Sequence, residues 1–227
     1  MWEHKHPYAP FIPPGTTRLI VGTLPPPRFS MGKLKPGDVH FSYGSSDGYL
    51  WPLLDQIYQL NLVYENTPFA VTQRQDFLKK HRLGVCDIVA SCKRQKIDAS
   101  DLGMEDVVLR DFFDYLTAYP TVVQLIFTGG NSKKGPEYFF RKLAKQKQTT
   151  LEPLQTEVPR QYRFFWKDRW IETFSLTAPS GAANRAVGSL AKYKALKEQD
   201  PEMNTFKFRL YQYRDVFQTK SPEIPNT

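Results

Sequence analysis

A chain of 227 residues, 41% hydrophobic and 14% aromatic, can bury a full core, and its length favours one domain over residues 1–227 rather than two small ones. The formal net charge of +8, with a pI of about 9.4, favours a polyanionic partner. Two cysteines exclude a disulfide scaffold or a four-thiolate cluster, four scattered histidines stand at no zinc-ligand spacing from them, and no run approaches the roughly 20 apolar residues of a membrane span.

The start, Met1-Trp2-Glu3-His4-Lys5-His6, holds no signal-peptide core, so a cytoplasmic or nuclear location is expected. Residues 1–17, with Pro7, Pro10, Pro13 and Pro14, read as an extended arm packed over the domain rather than as an element. Arg18 to Val21 is a buried strand that runs into Gly22-Thr23-Leu24 and then Pro25-Pro26-Pro27. Proline fixes φ and removes a backbone donor, so the chain must leave the sheet there. In open α/β sheets that carboxyl end is where ligands bind. Arg28 to His40 is a polar loop, and Phe41 to Gly48 brings small polar residues, an acid and aromatic rings suited to a pocket rim. Tyr49 to Leu60 then places Leu50, Leu53, Leu54, Ile57 and Leu60 at helical spacing.

Thr72 to Arg82 is a short charged helix or loop, and Gly84 to Ala90 a second buried strand with Asp87 inside it. Glu105 to Tyr119 puts Val108, Phe112, Leu116 and Tyr119 on one helical face that Pro120 ends. Val122 to Thr128 is a third strand, which stops at Gly129-Gly130-Asn131, and Pro136 to Gln146 returns to helix. Tyr162 to Trp166 and Trp170 to Leu176 pair around Lys167-Asp168, and the second exits through a loop of small polar residues, Thr177 to Arg185. Gly188 to Lys197 is a helix. Residues 200–227 form a C-terminal helix and tail, opened by Asp200-Pro201 and striped with Phe206, Leu210, Tyr213 and Phe217. This alternation is that of an α/β fold with a parallel sheet covered on both faces. Four basic clusters, Lys79-Lys80-His81-Arg82, Lys93-Arg94, Lys133-Lys134 and Arg141-Lys142, fall at element ends, where they could converge on one face.

The chemistry open to the strand-end loops is narrow. There is no GxxxxGK(S/T) phosphate loop and no GxGxxG, and His4, His6, His40 and His81 stand in no recognisable catalytic context. What remains is work that an acid, amides and backbone donors perform: positioning a water and stabilising a departing anion.

Five segments in order, Gly22-Thr23-Leu24-Pro25, Tyr43 to Leu54, Gly84 to Arg94, Phe127-Thr128-Gly129-Gly130-Asn131 and Pro179 to Arg185, resemble the uracil-DNA glycosylase superfamily, and within it the hypoxanthine-DNA glycosylase type branch. The resemblance runs from Arg18 to Lys197. It implies a three-layer α/β/α sandwich with a central, mostly parallel four-stranded sheet, which flips an altered base from double- or single-stranded DNA and hydrolyses its N-glycosidic bond. No metal or other cofactor is expected, nor a membrane partner, and the protein is expected to act as a monomer. By this resemblance Gly22, Thr23, Pro25, Tyr43, Asp87 and Asn131 belong to the base pocket, with the Tyr43 ring stacking on the extruded base. Ser180, Gly181 and Arg185 enter the minor groove and hold phosphates, with Lys93 and Arg94 as further DNA contacts.

Two positions depart from the family pattern. Thr23-Leu24 lacks the usual Asp, Asn or Glu, and Ala178 stands where a histidine is usual. The branch places an Asn three residues before a tryptophan; counted back from Trp51 that position is Gly48, so the neighbouring Asp47 becomes the candidate for positioning water. Ser180, Asn184 or backbone N–H groups are left to help the leaving base. Structural roles compete throughout: Asp47 or Asn131 as a helix cap, Tyr43 as a packing residue, Asp87 as a buried hydrogen-bonded acid, Arg185 as a surface cation. The expected function is a monofunctional DNA glycosylase acting on uracil, hypoxanthine or a modified pyrimidine. Its rivals are a catalytically silent DNA-binding protein on the same fold and an enzyme of free nucleosides.

Overall fold

The computed structural model describes residues 1–218, and residues 219–227 of the expected C-terminal tail lie outside the described residues. In chain order the elements are β1 (Trp2–Lys5), β2 (Arg18–Val21), α1 (Pro27–Ser30), α2 (Leu50–Tyr58), α3 (Pro68–Lys80), β3 (Leu83–Val85), β4 (Val89–Arg94), β5 (Glu105–Leu109), α4 (Phe112–Ala118), β6 (Gln124–Phe127), α5 (Pro136–Gln146), β7 (Glu152–Gln155), β8 (Arg160–Trp166), β9 (Arg169–Ser175), α6 (Asn184–Gly188), α7 (Ala191–Gln199) and α8 (Thr205–Gln218).

The main sheet has the order β3-β2-β6-β9-β8-β7. Its first four strands are parallel, and β8 and β7 extend it antiparallel to six strands, so the sheet is mostly parallel as expected but has two strands more than the four expected. Lys167 and Asp168 both take positive φ, 47° and 62°, as a tight two-residue hairpin between β8 and β9 requires. Side chains along β2 alternate between two cores. Leu19 and Val21 pack in one with Phe112, Phe113 and Leu116 of α4 and Phe139, Phe140 and Leu143 of α5; Ile20 packs in the other with residues of α2, α3 and α8. Each such fully buried aliphatic side chain contributes roughly 1.5–3 kcal/mol, which is how a four-residue strand anchors a three-layer sandwich.

Several elements differ from the sequence expectation. The N-terminal arm is not merely draped over the domain: β1 pairs antiparallel with β4 in a second sheet of order β1-β4-β5. The stretch from Gly84 to Ala90 is not one strand, because pairing with β2 ends at Val85 and the chain crosses to the second sheet at Val89, leaving Asp87 at a strand exit. Residues 105–109 are strand rather than helix: two adjacent β-branched valines favour extension, and the helix starts where the Asp111 side chain accepts from Asp114 N. The helix expected over 72–82 begins earlier, behind the cap of Thr67 and Pro68. That expected over 188–197 is two helices broken at Ser189-Leu190. The edge strand β7 carries Pro153, a residue that argues against a strand assignment unless the strand is an edge.

Candidate active site

All four parallel strands open into one cleft of about 1210 Å³. Residues 22–26 after β2, Asp87 after β3, residues 128–132 after β6 and residues 176–183 after β9 line it, together with residues 43–50, Asp101, Arg160 and the inner face of α6. The chain passes from β2 to β3 on one side and returns to β6 on the other, so the cleft sits where the winding of the sheet reverses, the usual ligand crevice of such folds.

Asp87 forms its floor. Oδ1 accepts the Gly22 N–H at 2.9 Å and Oδ2 accepts His6 Nε2–H at 2.9 Å. The Tyr8 N–H donates to His6 Nδ1 at 3.1 Å, which assigns the proton to Nε2. Burial alone would raise the Asp87 pKa; donors from His6, the Tyr43 hydroxyl and Gly22 outweigh it and hold the carboxyl below its ordinary value. A Cβ on Gly22 would approach Asp87 Oδ1 to 2.8 Å and press on the Tyr43 hydroxyl, so only glycine lets the three groups meet. Tyr43 adopts φ 58°, a left-handed conformation unusual for an aromatic residue and of order 1–3 kcal/mol in cost. Its ring edges the cleft, and its hydroxyl lies 3.1 Å from Thr128 Oγ1.

That strained turn is held by Asp38. Fully buried, Asp38 accepts both Arg28 Nε and Nη2 (2.7 and 2.8 Å), Lys35 N, Ser46 N and Ser46 Oγ. Burial pushes its pKa up, but these donors keep it well below the ordinary carboxylate range.

The segment between β4 and β5 contributes a second cleft carboxyl. Thr23 Oγ1 donates to Asp101 Oδ1 at 2.8 Å, and burial, countered by Thr23 and Arg94 and reinforced by Asp87, raises Asp101 to about 6. On the far wall, Arg209 of α8 is fully buried and donates from Nε to Ala178 O (2.8 Å), from Nη2 to Ser180 O (3.0 Å) and from Nη1 to Asn184 Oδ1 (2.8 Å). Gln212 Oε1 accepts Thr177 N, and the Tyr213 hydroxyl donates to Thr177 O, so α8 moulds the 177–184 loop.

Of the residues singled out from sequence, Gly22, Thr23, Pro25, Tyr43, Asp47, Asp87, Asn131, Ser180 and Gly181 share this cleft. Asp47 stands on the rim, 63% exposed and paired with Lys35 (2.9 Å) and Arg28 (3.2 Å); it does not cap α2, whose N-cap is Tyr49. Asn131 is exposed on the rim, and Gly135, not Asn131, caps α5. Arg185 is exposed on α6, and the structure gives it no ion pair among the described residues. Arg185 and three other residues fall outside the cleft lining. Asn184 turns away, its amide oxygen taken by Arg209 and Thr205. Arg94 cannot reach DNA: only 1% exposed, it donates to His4 Nδ1 and Ser100 O. Lys93 lies on the second sheet, paired with Asp106 at 2.9 Å.

The four basic clusters do not converge on the cleft. Residues 79–82 precede β3 and so lie at the amino ends of the strands, opposite the cleft, and Lys134 turns in to Leu102 O and Met104 O. Sequence reasoning missed His6, Asp38, Asp101 and Arg209. Asp101 carried one legible signal, an acid amid small polar residues at a strand connection; the others carried none.

This arrangement is a mixed α/β fold, a mostly parallel sheet covered on both faces by helices with the cleft at its carboxyl edge. The chain is similar to a solution NMR structure of a protein from Methanosarcina acetivorans, named provisionally as a uracil DNA glycosylase, with 18% identity, a TM-score of 0.57, and 96% of this chain and 98% of that chain covered. No family model and no curated protein matches the chain.

Proposed function

We propose that this protein is a monofunctional DNA glycosylase that everts an altered base into the cleft and hydrolyses its N-glycosidic bond. The observation that carries the reading is the meeting of Gly22, Tyr43 and an ionised Asp87 on the floor of a cleft walled by the Ser180 loop. Eversion costs a few kcal/mol of unstacking, which the Tyr43 face and phosphate contacts from the Ser180–Gly181 turn and Arg185 would offset. Hydrolysis needs a carboxylate beside C1′ to orient water and steady the developing positive charge on the sugar. Asp87 suits that role better than Asp47, because a rim carboxylate 63% exposed and held by two cations has both its field and its basicity screened.

Thr23, in place of the family's acid, favours a second reading as a silent DNA-binding protein. Oligonucleotides carrying uracil, inosine or hydroxymethyluracil separate the two when tested for alkali-labile nicks. Nicking abolished by Asp87→Ala and only reduced by Asp47→Ala supports the glycosylase; tight binding with no nick on any of the three supports the silent protein.

A further inference from the structure

Asp87 and Asp101 open onto the same cleft, and their surroundings shift their proton affinities in opposite directions. We propose that Asp101 is the proton donor to the departing base, a role that rests on the glycosylase reading above.

The geometry comes from three elements. Thr23, at the exit of β2, donates to Oδ1 at 2.8 Å, and Oδ2 has no hydrogen-bond partner among the described residues, so one oxygen is fixed and the other is free to present a proton to the cleft. The segment carrying Asp101 is itself pinned. The buried Arg94 of β4 donates to Ser100 O at 2.6 Å and lies 3.6 Å from Asp98, while Lys134, in the loop before α5, donates to Leu102 O and Met104 O. Those are the charged groups around it, together with Asp87 across the cleft. Only Asp87 and burial favour the neutral acid, yet they prevail and raise Asp101 to about 6. Two carboxyls in one site whose environments push their proton affinities apart are the arrangement by which one acts as base and the other as acid near neutral pH.

The step balances. The C1′–N bond breaks with its electron pair going to the base, and the Asp101 proton goes to a basic atom of that base. Water adds its oxygen to C1′ and gives one proton to the Asp87 carboxylate, and solvent then returns Asp87 to its anion and Asp101 to its acid. The net change is the addition of one water.

The test compares wild type with Asp101→Asn, which preserves shape and the acceptor for Thr23, on oligonucleotides carrying uracil or 5-fluorouracil. Fluorine makes the departing base a better anion and lessens its need for a proton. A lost general acid should therefore slow uracil release about a hundredfold or more and 5-fluorouracil release by about tenfold or less. In wild type the rate should fall as pH rises through about 6, and Asp101→Asn should erase that limb. Thr23→Val, which removes a hydrogen bond favouring the anion, should move the limb to higher pH. Equal slowing on both bases, or a limb unmoved by either substitution, overturns the role of Asp101 and leaves the glycosylase standing. A wild type that nicks neither these two bases nor inosine or hydroxymethyluracil overturns the two together.

Discussion

At the scale of single residues, the site is decided by space at Gly22. Its missing Cβ is what lets the Tyr43 hydroxyl and Asp87 Oδ1 approach the end of β2. Gly22→Ala forces one of them aside: overpacking in a buried site costs roughly 1–3 kcal/mol of stability, and the displaced group is either the stacking ring or the floor carboxylate. The expected outcome is a folded protein with a lower urea midpoint and nicking reduced by at least tenfold; unchanged nicking would mean that Tyr43 and Asp87 are not needed where they sit. Gly22, Tyr43 and Asp87 were legible because each lies in a segment with its own local signature, a strand exit or an aromatic beside small polar residues. His6 was not. It meets Asp87 across 81 positions of sequence, through an arm whose prolines give no hint of strand β1. Asp47 is the converse case: its sequence neighbourhood is that of the cleft, while its side chain pairs with Lys35 at the exposed rim.

At the scale of elements, the last helix does more than close the sandwich. The sequence marked α8 by its apolar stripe, and Tyr213 and Phe217 do enter the core. Two polar residues interspersed with the stripe, Arg209 and Gln212, are also buried, and periodicity has no means of separating a polar residue that faces solvent from one that faces a loop. Arg209 binds the carbonyls of Ala178 and Ser180 and the Asn184 amide, and so fixes the wall that the DNA strand would meet. Arg209→Met fills most of the volume but leaves those acceptors without their donor. Hydrogen bonds to a charged group contribute about 1.5–3 kcal/mol, so the substitution should lower stability by about that much and weaken oligonucleotide binding, while Arg214→Met at an exposed position of α8 should do neither. The strands show the other limit of sequence reading. β2 and β6 were readable as apolar runs and β9 as the partner of β8 in a hairpin, whereas β4 and β5 were hidden by a strand that breaks at Asp87 and by Val108, which falls at helical spacing with Phe112 and Leu116.

At the scale of the whole molecule, a charge of +8 was read as a sign of a polyanionic partner, and what matters is where that charge is left uncompensated. Away from the cleft many cations are already paired: Lys79 with Asp76, Lys93 with Asp106, Lys147 with Asp111 and Arg163 with Glu152. Beside the cleft, α6 and α7 expose Arg185, Lys192 and Lys194, for which the structure gives no carboxylate partner among the described residues. A strand drawn across the Ser180 loop would run past these three, and each phosphate they neutralise adds about 0.9 to the slope of log affinity against log salt for duplex DNA. Arg185→Ala should therefore reduce the measured slope by about one and weaken binding alike for all sequences, whereas Lys93→Ala, whose charge Asp106 already offsets, should leave the slope unchanged. The reverse result, a slope that responds to Lys93 and ignores Arg185, would move the DNA path onto the three-stranded sheet and away from the cleft, and the base would then have no route to Asp87.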